Sequence, residues 1–319
     1  MLRFTFGPAD VASLRFGVSP LSELGLGLRA LRRPGFYPLQ APWVARIEPL
    51  LGALDLELLM GLVDERLWVA DFLNPRPASP LTGIDDELRH LARITPARLL
   101  ADVEAVNGSL PSAFRGPHAA VVRRLTDAIA TMWHLCFAPF WPRMRAVLEA
   151  DIAHRGRLLA AGGYSALFAS LSRRVSWDGE HLDVRLRAPF DDIIEVAGRG
   201  FALTPSIFTE GASTRIDPAL PPGLMYPARG QGAMWSTHAG AEPGALADLL
   251  GATRAALLDA LGEPASSTEL AHRFGVTASA VNQHLRSLER GGLLNRTRYG
   301  RSVLYYRSDL ADALVRGDG

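Results

Sequence analysis

Four polar side chains able to hydrogen-bond to DNA bases share one face of a helix expected near the C-terminus. Within residues 278–290 the apolar side chains recur at helical spacing, at Val281, Leu285 and Leu288. This spacing predicts a helix whose apolar side faces a core. Its opposite face carries Ser279, Asn282, Gln283 and Arg286. Asn and Gln can bind adenine, and Arg can bind guanine, through paired hydrogen bonds, so the pattern favours reading of double-stranded DNA.

A shorter helix and a tight turn are expected to position that face. Residues 266–274 begin with a serine cap signal, end at Gly275, and should bury Leu270, Ala271 and Phe274. Thr277 is placed to cap the second helix, whose N-terminal amides could bind a phosphate. Gly291-Gly292 should end that helix. Two helices joined by a short glycine-containing turn form a helix-turn-helix.

A hairpin should follow the second helix. Residues 293–298 and 302–307 are expected to be two strands around Tyr299-Gly300-Arg301, and such a hairpin is a wing. The predicted DNA contacts on the wing, near the phosphate backbone or in the minor groove, are Arg296, Arg298, Tyr299 and Arg301. Thr277 completes the predicted DNA-binding set.

Charge is concentrated in this segment. Residues 273–307 contain seven arginines and one glutamate, a local charge of +6, whereas the 319-residue chain has a net charge of +1. A solvated basic face is the ordinary explanation of a charge run, but it does not predict arginine on both the helix and the wing. DNA is therefore the favoured partner, because phosphates attract clustered arginine. The alternative is a winged helix used for protein–protein association, with the N-terminal domain as the functional part, which could then be an enzyme.

The run LLGATRAALLDALGEPASSTELAHRFGVTASAVNQHLRSLERGGLLNRTRYGRSVLYYR resembles the winged helix-turn-helix of ArsR-type (arsenic-repressor-like) bacterial transcription regulators. The resemblance covers about residues 245–316. It implies a homodimer on a partly palindromic operator, usually a repressor released by a ligand. The family's metal ligands are missing, since the first helix of the motif has no Cys and the C-terminal helix offers Asp309 and Asp312 but no His. No metal and no cofactor are expected.

The rest of the chain predicts an α+β protein. Residues 1–236 are expected to form a sensor or dimerisation domain, mostly helical over 1–172 and β-rich over 173–236. Residues 237–244 are expected to form a linker to the winged helix. The β-rich part is expected to be a small antiparallel sheet, with a hairpin at Asp178-Gly179. The segments LRFTFGPADVASLRFGVSPL and GRGFALTP…LMYPARGQGAMW resemble a domain of unknown function that accompanies this winged helix in actinobacterial regulators.

A cluster of aromatic residues is the candidate effector site in that domain. Aromatic walls with a few polar groups are typical of ligand pockets, and the candidate lining consists of Trp133, His134, Phe137, Phe140 and Trp141. The alternative is a packed core or a dimer interface. Cys136, within this stretch, is either a redox-sensing thiol or a small buried apolar residue.

Several function classes find no support. A single cysteine excludes an intramolecular disulfide and a Cys-pair zinc site. Nucleophile-elbow, zinc-protease and phosphate-loop motifs are missing, so no catalytic residue is assigned and no enzyme is expected. The longest uncharged segment, about 14 residues near 158–172, is shorter than the roughly 20 needed to cross a bilayer. A cytoplasmic protein without a signal peptide or membrane contact is expected.

Overall fold

A computed structural model describes residues 1–77, 82–187, 191–235, 245–299 and 302–316. The chain divides into two compact units, Met1–Trp235 and Ser236–Gly319. Helices and strands occur in both, which confirms the α+β class. Among the described residues, no helix combines the length and the apolar character that a membrane span requires.

The N-terminal unit contains seven α-helices among its described residues: α1 Pro20–Arg32, α2 Ala41–Ile47, α3 Leu56–Met60, α4 Ile84–Leu91, α5 Pro96–Asn107, α6 His118–Met132 and α7 Trp141–Leu171. Side-chain caps fix three of their starts, since Ser19 accepts from the Ser22 amide, Asp55 from the Leu58 amide and Thr95 from the Arg98 amide. The helices capped by Ser19 and Thr95 carry proline at the first helical position, where its missing amide costs nothing.

The sequence predicts one helix over residues 42–63 and another over about 142–159, and the structure corrects both. Residues 42–63 do not form one helix, because α2 ends at Ile47 and a 3-10 segment, Glu48–Ala53, precedes α3. Pro49 lies in that segment and lacks the amide that an α-helix would use there. The last helix extends well past residue 159, although Gly163 breaks its regular geometry with a φ of +67°.

The described residues of this unit form seven strands in two sheets: β1 Leu2–Thr5, β2 Leu14–Phe16, β3 Val175–Trp177, β4 His181–Val184, β5 Asp192–Glu195, β6 Phe201–Ser206 and β7 Gly223–Pro227. The first sheet has the order β3-β4-β1-β5, in which β4 is antiparallel to both neighbours and β5 is parallel to β1. The second sheet, β2-β6-β7, is parallel throughout.

These pairings confirm the hairpin at Asp178-Gly179, because β3 and β4 pair antiparallel around it. They correct the expectation of an antiparallel sheet confined to residues 173–236. Strand β1 belongs to the first sheet and strand β2 to the second, and both come from the start of the chain. Residues 1–172 therefore contribute strands as well as helices. Alternation on β1 buries Leu2 and Phe4 completely, while Arg3 on the other face binds Asp183 at 2.7 Å.

The C-terminal unit contains helices α8 Ala245–Leu250, α9 Ala252–Ala260, α10 Ser267–Phe274, α11 Ala278–Arg290 and α12 Asp309–Arg316. Its strands are β8 Ala265–Ser266, β9 Leu294–Tyr299 and β10 Ser302–Arg307, paired antiparallel in the order β8-β10-β9. Leu258, Leu270 and Leu285 are completely buried at the centre of this unit. Its small core therefore holds α9, α10 and α11 against one another and against the sheet.

Candidate nucleic-acid interface

A capping box fixes the start of α10. The Ser266 Oγ accepts from the Glu269 amide at 3.2 Å, and the Glu269 Oε2 accepts from the Ser266 amide at 2.7 Å. Both otherwise unpaired amides are thereby satisfied. The hydrogen bonds from the Ser266 backbone and hydroxyl lower the pKa of Glu269, since they favour its ionised form.

The turn between α10 and α11 depends on one glycine. Gly275 has a φ of +66°, a left-handed conformation that side chains disfavour, and the Val276 amide donates back to the Ala271 carbonyl at 3.1 Å. Thr277 follows and caps α11, with its Oγ1 accepting from the Ala280 amide at 3.3 Å. The turn sets the angle at which α11 leaves α10.

One predicted core residue of the motif is exposed. Leu270 and Ala271 are buried, but the Phe274 side chain is 38% exposed and Val276 after it is 50% exposed. The prediction that Phe274 is buried is therefore wrong. Phe274 is the last residue of α10, and the chain turns at Gly275 before another element can cover the ring.

Helix α11 divides into an apolar and a polar face. Val281, Leu285 and Leu288 are at most 2% exposed. On the other side Ser279, Gln283 and Arg286 are exposed and Asn282 is partly exposed. The structure thus brings the four predicted base-reading side chains onto one helix, while the buried leucines hold that helix in place.

The wing stands beside this helix. Strands β9 and β10 pair from Leu294 opposite Arg307 to Tyr299 opposite Ser302. Arg296 and Arg298 on β9 are exposed. Arg301 lies outside the described residues, and for Tyr299 the structure describes the backbone alone. The predicted contacts at Arg301 and at the Tyr299 side chain therefore stay predictions.

An ion pair joins the wing to α11. The Arg296 Nε lies 2.9 Å from the Glu289 Oε1, and the Arg296 side chain is 60% exposed. This contact ties the base of β9 to the end of the polar helix. It was not predicted, although Glu289 is the one acid within residues 273–307. Arg296 must give up or share this partner before it can bind a phosphate.

Arg307 has a structural role. Its Nε and Nη2 donate to the carbonyls of Leu258 and Asp259 at 2.7 and 2.8 Å, at the end of α9. An arginine there adds charge-assisted hydrogen bonds to carbonyls at the C-terminal end of the helix, where a cation is favourable. One of the seven arginines behind the local charge of +6 is therefore turned inward, while Arg273, Arg286, Arg290 and Arg298 are exposed.

Residues 249–297 match a family described as a helix-turn-helix domain. The C-terminal unit contains a helix-turn-helix domain. The match runs from the end of α8 into β9, and this domain supports a DNA-binding regulator. No curated protein and no solved structure matches the chain.

The aromatic cluster predicted as a ligand site lies in the core of the N-terminal unit. Trp133 and Phe137 are buried and stack at 5.8 Å between ring centroids, Phe140 and Trp141 are partly buried, and His134 is exposed. Other residues line the cavities found in the described part of the chain. This placement matches the alternative of a packed core.

Cys136 is held in the same core. It lies in a π-helical turn, Trp133–Phe137, and its carbonyl accepts from the Trp43 Nε1 at 2.8 Å. Burial raises the pKa of the Cys136 thiol to about 11, so the thiol stays protonated at neutral pH. Because the thiolate is the reactive form, this environment disfavours redox sensing. Within the described residues, no group of three or more His, Cys, Asp or Glu side chains is arranged to hold a metal.

Proposed function

We propose that the chain is a sequence-specific transcription regulator, a repressor, that binds double-stranded DNA through its C-terminal unit. The observation that carries the proposal is the face formed by Ser279, Asn282, Gln283 and Arg286 on α11, next to the arginines of β9. Such a helix can enter the major groove while the wing follows the backbone.

The proposed contacts fall into two groups. Asn282, Gln283 and Arg286 read base edges, with Ser279 beside them. Arg298 and Arg301 bind the sugar-phosphate backbone or the minor groove, together with Tyr299. Arg296 joins this second group when phosphate displaces Glu289. Backbone contacts position the protein, whereas base contacts carry its sequence preference.

The proposal includes a homodimer on a partly palindromic operator, as expected of an ArsR-type regulator. Two exposed leucines of the C-terminal unit are candidates for such an interface. Leu249 on α8 is 71% exposed and Leu310 on α12 is 55% exposed. Each offers apolar surface that a second copy could cover. A two-fold dimer would place two copies of α11 about 34–36 Å apart, one turn of DNA.

The proposal also includes response to a small-molecule effector bound by the N-terminal unit. A winged helix needs about 70 residues, so more than 200 residues of this chain are available for another task. That unit packs two hydrophobic clusters of its own, so it can serve as a separate effector-binding domain. Effector binding would then change the affinity of the dimer for its operator.

Fluorescence anisotropy tests DNA binding directly. The full chain is titrated into a labelled duplex covering the intergenic DNA beside its own gene, at about 50 and 200 mM salt. Binding that is tighter than to a shuffled duplex, and weakens steeply with salt, is expected. Absence of binding at the lower salt, where the phosphate contribution is strongest, would contradict the proposal and favour protein association by the winged helix.

A further inference from the structure

A small cavity in the N-terminal unit is lined by an excess of arginine. Its volume is about 50 Å³, and its walls include Arg29, Arg66, Arg174 and Arg187 but a single carboxylate, that of Glu210. These residues come from four distant parts of the sequence. Pockets for whole drug-sized ligands have about 300–1,000 Å³, so this cavity suits one small chemical group.

Two of the four arginines already have carboxylate partners. Arg187 pairs with Glu210, and the Arg66 Nε lies 2.6 Å from the Asp64 Oδ2. Among the described residues, neither Arg29 nor Arg174 has a carboxylate within ion-pair distance. Within the described part of the chain these two guanidinium groups therefore lack a carboxylate in direct contact, and Asp64 attracts Arg29 from beyond ion-pair distance.

Arg29 indicates an anion site more strongly than Arg174 does, because Arg29 is only 7% exposed. Its Nη1 donates to the Ser213 Oγ at 2.5 Å, but its buried Nε has no hydrogen-bond partner. Burial lowers the pKa of this guanidinium, although a hydrogen bond with Tyr37 and the charge of Asp64 act in the opposite direction. A buried cation with an unused donor is normally neutralised by an anion.

Arg174 is positioned by a glycine. A Cβ at Gly211 would come within 2.6 Å of the Arg174 Cδ and 2.8 Å of its Nε. The arginine stem thus lies directly on the Gly211 backbone, in space that no other residue type would leave. This close approach holds a second guanidinium at the cavity wall.

Hydroxyl groups complete the wall. Thr209 and Ser213 are buried, and their oxygens lie 3.4 Å apart. A hydrogen bond between these two hydroxyls uses only one of their protons, so the other proton can be donated to a ligand. Their loop follows the end of β6 in the parallel sheet, and ligands of such sheets bind beyond the carboxyl ends of the strands.

We propose that this cavity binds an oxyanion, the phosphate or carboxylate group of a small molecule, between Arg29 and Arg174. Guanidinium groups and hydroxyls are the donors that recognise these groups. Binding of the oxyanion is independent of the proposed function. Its role as part of the effector rests on the proposed function.

Isothermal titration calorimetry on the full chain tests the site with inorganic phosphate and acetate, at constant ionic strength set with chloride. Saturable binding of at least one anion, with a Kd of about 1 mM or tighter, is expected. Binding of phosphate alone would assign a phosphate group, and binding of both would extend the site to carboxylates. Absence of saturable binding of either anion would overturn the proposal.

Three variants locate the bound anion. R174Q should weaken binding about tenfold or more, and R173Q, which removes the same charge from an exposed neighbour, should bind as the wild type does. G211A keeps every charge but displaces the Arg174 stem, so it should also weaken binding. Equal losses in R174Q and R173Q, or an unchanged affinity in both R174Q and G211A, would show that Arg174 does not hold the anion.

The titration contains no DNA, so its result is independent of operator binding. Repeating the anisotropy titration with the anion that binds then tests its role as effector. The effector role would be supported if the anion changes the operator affinity of the wild type and leaves the operator affinity of R174Q unchanged. An unchanged operator affinity in the wild type would remove that role and leave the oxyanion site intact.

Discussion

Exposed arginines of the C-terminal unit contrast with buried arginines of the N-terminal unit. In the C-terminal unit Arg286 and Arg298 are exposed, with their guanidinium groups open to a large external polyanion. In the N-terminal unit Arg29 and Arg155 are buried, and Arg155 pairs with Asp151 inside the protein. An exposed guanidinium keeps its hydration and is free to bind, whereas a buried one needs an internal or bound counter-ion. Charge content alone does not distinguish these uses.

The largest effect should come from the core that holds the polar helix. Leu285 is completely buried beneath α11, so L285A should lower the free energy of unfolding of the C-terminal unit by about 3 kcal/mol, through lost burial and a cavity. Q283A on the exposed face should change it by less than about 0.5 kcal/mol.

Urea unfolding can assign this change to one unit. All six tryptophans lie within Met1–Trp235, so tryptophan fluorescence reports the N-terminal unit and far-ultraviolet circular dichroism reports both. L285A should shift part of the dichroism transition and leave the fluorescence transition unchanged. An L285A protein as stable as Q283A would show that α11 does not depend on this core.

A smaller effect should separate an inward from an outward arginine within the C-terminal unit. R307A removes two hydrogen bonds from a charged donor to the end of α9, so stability should fall by about 2 kcal/mol. R298A removes an exposed side chain and should change stability by less than about 0.5 kcal/mol. The same dichroism titration measures both. Equal stability of R307A and R298A would show that Arg307 has no structural role that Arg298 lacks.

The smallest effect concerns a buried carboxylate of the N-terminal unit. Burial raises the pKa of Glu23 to about 7, although the Ile207 amide donates to its Oε2. Its pKa in the unfolded chain is about 4.3, so the folded state binds a proton more tightly over this interval. Glu23 therefore makes stability fall as pH rises from about 4.5 to about 7.

E23Q should remove that contribution. The melting temperature of the tryptophan-fluorescence transition should decline less between pH 5 and pH 7.5 than in the wild type, by about 2–4 °C for each kcal/mol of linkage removed. E57Q, at an exposed position, provides the matched control. Identical pH dependence in E23Q and wild type would show that Glu23 is not held in its neutral form.

Local signals predicted the C-terminal unit well. The caps at Ser266 and Thr277, the turn at Gly275 and the spacing of Val281, Leu285 and Leu288 each act within a few residues. Short-range hydrogen bonds and helical periodicity are therefore sufficient to place the polar face. Phe274 was mispredicted because its exposure depends on what packs beyond the end of α10.

Long-range pairing limited the prediction of the N-terminal unit. Alternation on β1 predicts a strand, but it does not specify that β4 and β5, more than 170 residues away, pair on its two sides. The cavity arginines are equally dispersed, from Arg29 to Arg187. The concentration of aromatic residues around Trp133 and Phe137 predicted a ligand pocket. In the structure these two rings instead pack against each other in the core.

The central claim is that exposed α11 side chains read DNA sequence while wing arginines bind its backbone. Anisotropy titrations of the wild type, R286A and R298A with operator and shuffled duplexes, over a range of salt, test it most directly. R286A should lose about 1–3 kcal/mol on the operator and little on the shuffled duplex, and R298A should lose affinity on both and reduce the salt slope by about 1. Equal affinity of all three proteins for the operator would contradict the claim.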